Sequence, residues 1–205
     1  MISRLLLVGI LSILASPALA DVQGTGAGGT IPDTGTPLIS DINITDDSYM
    51  RDVTFCLEDL QHTWVGDLVA NITHVDTGRT IPLFVRVGLD SGTGVGDSSD
   101  LSGTYIFKDT GRSFWSEAAN GSTDYVMAQD TYQASDEAGD EVIMNEIFRG
   151  RVTGTWRLSI TDLDGTQIGS FANWSLNFAT SPVPEPGLIG VLGIALAGMV
   201  SRRRR

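Results

Sequence analysis

The chain has 205 residues and a formal net charge of −12, but the charge is uneven: all 25 acidic residues fall between Asp21 and Glu185, a span that holds only eight of the 13 basic ones and so carries −17. A surface of that sign excludes nucleic acid and anionic lipid as partners and suits divalent cations. Cys56 is the only cysteine, which excludes an internal disulfide framework.

The first twenty residues, MISRLLLVGILSILASPALA, combine an early arginine, an apolar run and a small-x-small end at Ala18-Leu19-Ala20. That is the pattern of a secretory signal peptide, so 1–20 is set apart from the fold. Residues 21–40 are rich in Gly, Thr and Pro and read as an extended lead-in with turns. Period-two alternation then places Val53, Phe55 and Leu57 on one strand face, followed by Leu68, Ala70 and Ile72, and by Ile81, Leu83, Val85 and Val87. Trp156, Leu158 and Ile160 form a fourth set, and Trp174, Leu176 and Phe178 a fifth. Turn clusters at Asp76-Thr77-Gly78 and Asp162-Leu163-Asp164-Gly165 punctuate them. Residues 90–100 and 109–141 are polar and poorly periodic, and are expected as loops. The body shows no long helical period. The expected class is all-β, an antiparallel jelly-roll-like β-sandwich. Cys56, inside the run VTFCL, is expected as a buried structural thiol.

Catalytic constellations are poorly supplied. The Asp-Thr-Gly and Asp-Ser-Gly triplets at Asp33 and Asp90 have the composition of an aspartic-protease pair, but Asp76 and Asp109 open the same triplet, which marks ordinary turns in this chain. His62 and His74 are the only histidines, and no Gly-x-Ser-x-Gly elbow accompanies them. Zinc needs more imidazole or thiolate ligands than the chain holds. His62 is expected as a hydrogen-bonded framework residue at a strand end.

The tail has three parts: a 180–186 linker containing Val183, Pro184, Glu185 and Pro186, an apolar run at 187–200, and a basic end at 201–205 with Arg202, Arg203, Arg204 and Arg205. A helix over the apolar run would rise only about 21 Å, short of the roughly 30 Å hydrocarbon core of a bilayer. The prolines separate it from the body, and terminal arginines fit a cytoplasmic stop. In that order the three parts resemble a PEP-CTERM sorting signal. The resemblance implies export through the inner membrane of a Gram-negative-type bacterium, transient insertion of this helix and recognition by an exosortase-type sorting protease. It further implies removal of the tail, residence at the cell surface or in an extracellular matrix, and the company of exopolysaccharide.

A second resemblance covers 28–179. Gly154-Thr155-Trp156, an Asp-rich turn and Asn173-Trp174-Ser175-Leu176 look like the closing strands of a P/Homo B domain, the β-sandwich attached to subtilisin-like proprotein convertases. His62-Thr63-Trp64-Val65-Gly66-Asp67-Leu68 resembles that family's His-Thr-(aromatic)-x-Gly-Asp-Leu. Ile31-Pro32-Asp33, Phe107-Lys108-Asp109 and Phe148-Arg149-Gly150 follow in the expected order, although Lys108 stands where the family has an acid and the turn after Leu68 departs from the family pattern. The framework residues carried over are His62, Gly66, Asp67, Trp156 and Trp174. The resemblance implies calcium as a possible cofactor through loop aspartates, with Asp67, Asp100, Asp109 and Asp162 as candidates. It also implies an accessory role beside a serine-type endopeptidase, with no catalytic domain or triad in this chain. The leading expectation is therefore a non-catalytic exported module for adhesion, scaffolding or binding. The alternatives are an accessory domain acting in trans on a separate subtilase, or a carbohydrate-binding module that stacks sugars on Trp64, Phe114, Trp115 and Tyr125 should those rings lie exposed.

Overall fold

The structure, a computed structural model, describes residues 20–181 apart from Thr34, 90–93, 95 and 119–124. Residues 1–19 and the tail with Val183–Pro186 and Arg202–Arg205, on which the signal-peptide and sorting-signal expectations rest, lie outside the described residues. Ten strands are present among those described: β1 (Ala20–Ile31), β2 (Leu38–Ile44), β3 (Tyr49–His62), β4 (Leu68–His74), β5 (Arg79–Val85), β6 (Leu101–Ser113), β7 (Thr131–Ser135), β8 (Glu141–Val142), β9 (Gly154–Asp162) and β10 (Gly169–Ser181). Two short helices, α1 (Phe114–Ala118) and α2 (Met144–Phe148), join them. Among the described residues no helix is long and apolar enough to cross a membrane.

The strands form two open sheets, β1-β10-β3-β6-β7-β8 and β2-β9-β4-β5. Every pairing between named strands is antiparallel except β6 with β7. The pairs β1 with β10, β2 with β9, β3 with β6 and β4 with β5 are nested, as in one long hairpin folded over itself, and β10–β3 and β9–β4 close the roll. That is the order of a jelly roll, with β7 and β8 added at one edge.

Alternation builds the core. Val53, Phe55 and Leu57, Leu68, Ala70 and Ile72, and Trp156, Leu158 and Ile160 are each buried with their strand neighbours half-exposed. The sheets meet through aromatic contacts across the interior: Trp156 of β9 lies 4.9 Å from Phe178 of β10, and Phe84 of β5 lies 5.8 Å from Phe107 of β6. Trp174 of β10 donates its indole N–H to Ser40 Oγ of β2 at 2.9 Å, a polar tie between the same two layers.

Four expectations are corrected. The lead-in at 21–40 is extended as expected but is strand rather than loop: it carries β1 and the first three residues of β2. Its glycines reflect close packing, because a Cβ at Gly26 would overlap the Trp174 indole. The stretch 109–141 contains the end of β6, α1, β7 and β8. These elements are too short or too irregular for a period, and β6 and β7 break register between Phe107 and Arg112. Phe84, and not Val85, faces the core: β4 and β5 lose register between Ala70 and Asn71, and the bulge reverses the sides that follow. Cys56 is half-buried on the outer face of β3, opposite the inward set of Phe55 and Leu57.

Candidate recognition site at one end of the sandwich

The ends of β3 and β9 and the loops beyond them build one end of the sandwich. β3 and β6 slip register between Leu57 and Leu60, and Asp59 takes φ +51. Without that extra residue the inward parity of Val53, Phe55 and Leu57 would point Gln61 inside; with it, Leu60 and His62 turn inward. On β9, plain alternation continues from Trp156 through Ile160 to Asp162. The two side chains therefore meet between the layers. His62 Nε2 lies 3.0 Å from Asp162 Oδ2, and neither side chain is exposed. The other ring nitrogen, Nδ1, lies 3.0 Å from the Trp64 N–H and 2.9 Å from its carbonyl oxygen, and Asp164 N–H donates to Asp162 Oδ1. The pair is a buried link between the two sheets with both partners fully engaged.

From His62 the chain runs through Trp64 into a 3-10 turn, Val65–Asp67. Gly66 is required there: its N–H donates to the Asp97 carbonyl at 3.0 Å, and a Cβ would collide with the Gly96–Asp97 backbone. The Trp64 indole donates to Gly96 O at 3.3 Å. Asp67 follows, only 4% exposed, with its carbonyl accepting from Leu163 N–H. Its carboxyl lines a cavity of about 180 Å³ together with Trp64, Asp164, Thr166 and Gln167. Burial, then the charges of Asp164 and Asp162, push the Asp67 carboxyl above its ordinary value, against the opposing pull of His62 and Arg86. Arg86 is committed elsewhere, donating to the carbonyls of Gly66 and Gly94 at 3.2 and 3.4 Å. Beside this cavity a second depression of about 270 Å³ is lined by Gln61, His62, Thr63, Asp100, Leu101, Ser102, Val126 and Ile168.

Of the calcium candidates, Asp109 stands apart from the other three. Asp109 accepts the N–H groups of Met144 and Asn145 with its two oxygens, at the start of α2. Asp100 stands nine residues away at the other end of β6, roughly 30 Å along the strand. Asp162 is engaged by His62, and Asp67 faces the cavity. As a set the four do not fit one ion, and among the described residues no group of three or more His, Cys, Asp or Glu is placed to hold a metal.

The remaining framework residues are core. Trp156 and Trp174 are fully buried, and His74 stacks on Trp156 at 4.5 Å while its Nε2 meets Thr153 O at 3.0 Å. The ring partners of the two histidines are backbone groups, Asp162 and Thr77, so no serine–histidine arrangement forms among the described residues. The proposed sugar platform does not assemble: Phe114 is wholly buried, and Trp115 and Tyr125 pack against the core, with the Tyr125 hydroxyl donating to Glu117. Sequence reasoning passed over Asp164, Thr166 and Gln167 as cavity residues. They sit in a turn, where only a partner across space reveals a role.

The class defined here is a two-sheet β-sandwich with a polar, acidic site among its end loops and no reaction centre among the described residues. Residues 117–178 match the family model of the proprotein convertase P-domain. That segment includes both tryptophan strands, β9 and β10, and Asp162, and leaves out His62, Gly66 and Asp67. Among solved structures the chain is similar to the serine protease of Aeromonas sobria in complex with its chaperone ORF2, at 15% identity and TM-score 0.47 over 82% of this chain. It is also similar to the Aeromonas sobria serine protease alone, at 13% identity and TM-score 0.44 over 82% of this chain. In both cases the match spans 28% of the larger protein. No curated protein matches the chain.

Proposed function

We propose that this chain is an exported, non-catalytic accessory domain that acts in trans with a separate subtilisin-type serine protease. The observation that carries the reading is the P-domain match over 117–178, which falls on the strands that build the core and hold Asp162. Two further features support it: both histidines are held as framework, and the loop end offers an uncommitted acidic cavity to a partner. A general adhesion or scaffold role in the envelope or in an exopolysaccharide matrix draws support only from the tail that resembles a sorting signal. The same tail supports surface delivery by an exosortase as part of the proposal.

The test is capture from the exported proteome with the tagged chain, followed by labelling with a fluorophosphonate probe. The expected result is a labelled subtilase in the captured fraction and no label on the chain itself. Capture of no serine hydrolase, or labelling of the chain, would sink the proposal. Mass spectrometry of the mature protein checks the tail: a C-terminus near Pro184–Pro186 supports sorting, and an intact arginine end removes it.

A further inference from the structure

The cavity at the loop end is more acidic than folding requires. Asp67 as a residue is 4% exposed, its carboxylate keeps access to the cavity, and no hydrogen-bond donor among the described residues reaches it. Buried carboxylates are ordinarily paired or hydrogen-bonded, since removing a charge from water is costly. Here the carboxylate shares the cavity with Asp164, and the charge of Asp162 also acts on it. Arg86, the cation that acts on it, directs its guanidinium to two carbonyls. One wall is Trp64, and the polar side chains of Thr166 and Gln167 complete the lining. At the two ends of the same loop Leu163 is 50% and Ile168 72% exposed, an apolar rim with no role in the core.

We propose that this cavity receives a cationic side chain, arginine or lysine, from a partner polypeptide. A guanidinium or ammonium head supplies the donor that Asp67 lacks and adds to the single Gly165 N–H on Asp164, and its stem can lie against the Trp64 ring. The apolar rim fits residues flanking the basic one. The −17 charge of the body attracts a basic partner at long range. A calcium ion fits less well, because it needs six to eight oxygens and Asp162, the third carboxylate, is engaged by His62 and the Asp164 N–H. The inference names the contact chemistry of the proposed accessory role and rests on that reading for the kind of partner.

The experiment titrates the full ¹⁵N-labelled chain with N-acetyl-arginine methylamide, its lysine counterpart and the neutral citrulline counterpart. The Trp64 indole N–H, which bonds Gly96 O, and the amides of Asp164 to Gln167 are expected to shift saturably with arginine or lysine and not with citrulline. Asp67→Asn and Asp164→Asn should each weaken binding at least tenfold; Asp164 is exposed, so its variant tests the cavity independently of the buried position. Three results would each overturn the proposal: shifts spread over the acidic surface and unchanged in both variants, equal binding of citrulline, or saturable shifts of these resonances by Ca²⁺ where arginine has no effect. Protease capture that persists in the Asp67→Asn/Asp164→Asn double variant would keep the accessory role while removing the cavity as its contact. Probe binding without protease capture would do the reverse.

Discussion

Replacing His62 with alanine removes one half of the link between the sheets and leaves Asp162 wholly buried opposite a void. The remaining carboxylate keeps one donor, the Asp164 N–H at 3.2 Å, and loses the ring at 3.0 Å. Breaking a buried pair in this way costs about 3–5 kcal/mol, because the surviving charge is uncompensated. The converse variant, Asp162→Ala, leaves the ring with one nitrogen unsatisfied, a loss of about 1–3 kcal/mol. If each residue matters mainly through the other, the double variant loses less than the sum of the two, by about 1–3 kcal/mol. Urea unfolding followed by tryptophan fluorescence and far-UV circular dichroism measures all three at one pH. Against a total stability of about 5–15 kcal/mol, His62→Ala should shift the midpoint severely with an unchanged slope. A loss below about 1 kcal/mol, or a cycle that closes additively within about 0.5 kcal/mol, would refute the view that this pair is a structural tie.

Further outcomes follow from the same geometry. Asp67→Asn should raise the melting temperature at neutral pH: the carboxyl value is raised in the fold, so its ionisation opposes folding above that value. The gain should fade as the pH drops through the raised value toward the ordinary 3.8, and a gain that persists below it would contradict the assignment. Asp41, held below the usual range by the Arg157 hydrogen bond, contributes in the opposite sense. Its contribution is present above 3.8 and lost as pH falls through the depressed value, so Asp41→Asn should flatten the acid limb of the stability profile. Gly26→Val drives a side chain into the Trp174 indole and should cost about 1–3 kcal/mol by unfolding titration. Cys56, whose thiol is pushed up first by burial and then by Glu58, should resist alkylation at neutral pH until the protein unfolds. Because Asp109 stands apart and no three candidate carboxylates are placed to share an ion among the described residues, Ca²⁺ and chelator should give the same melting curve; a shift of several degrees would mean that another ligand set holds the ion.

The sandwich was legible wherever a strand alternates without interruption. β4, β9 and the inward half of β10 follow period two, and Trp156, Leu158 and Ile160 fall inside as the pattern requires. Legibility failed at three kinds of place, each with a physical cause. Glycine replaced the periodic signal in β1, since packing beneath Trp174 leaves no room for the side chains that would have carried it. Bulges at Asp59 and in the β4–β5 pair reverse parity, so plain alternation leads to Gln61 and Val85 where the fold places His62 and Phe84 inside. Short elements between 109 and 142 take their form from contacts far along the chain, such as Asp109 receiving the N–H groups of Met144 and Asn145.

The candidate site divides along the same line. Asp162 could be read, because it extends an inward alternation and a carboxylate at such a position demands a partner. His62 could be matched to a motif but not placed, because its orientation depends on the bulge. Asp164, Thr166 and Gln167 had no signal, since a turn's sequence says how it bends and not what it faces. Asp67 links the two groups. Its motif neighbour Gly66 is fixed by the backbone approach of Gly96, which sets the turn and thereby aims the next residue into the cavity. A fold optimised only for stability would place asparagine there and remove the repulsion from Asp164 and Asp162. The variant that stabilises the domain and the variant that abolishes capture of a basic side chain are thus expected to be the same one, Asp67→Asn. Separating those two effects in one protein would distinguish a residue retained for recognition from one retained for packing.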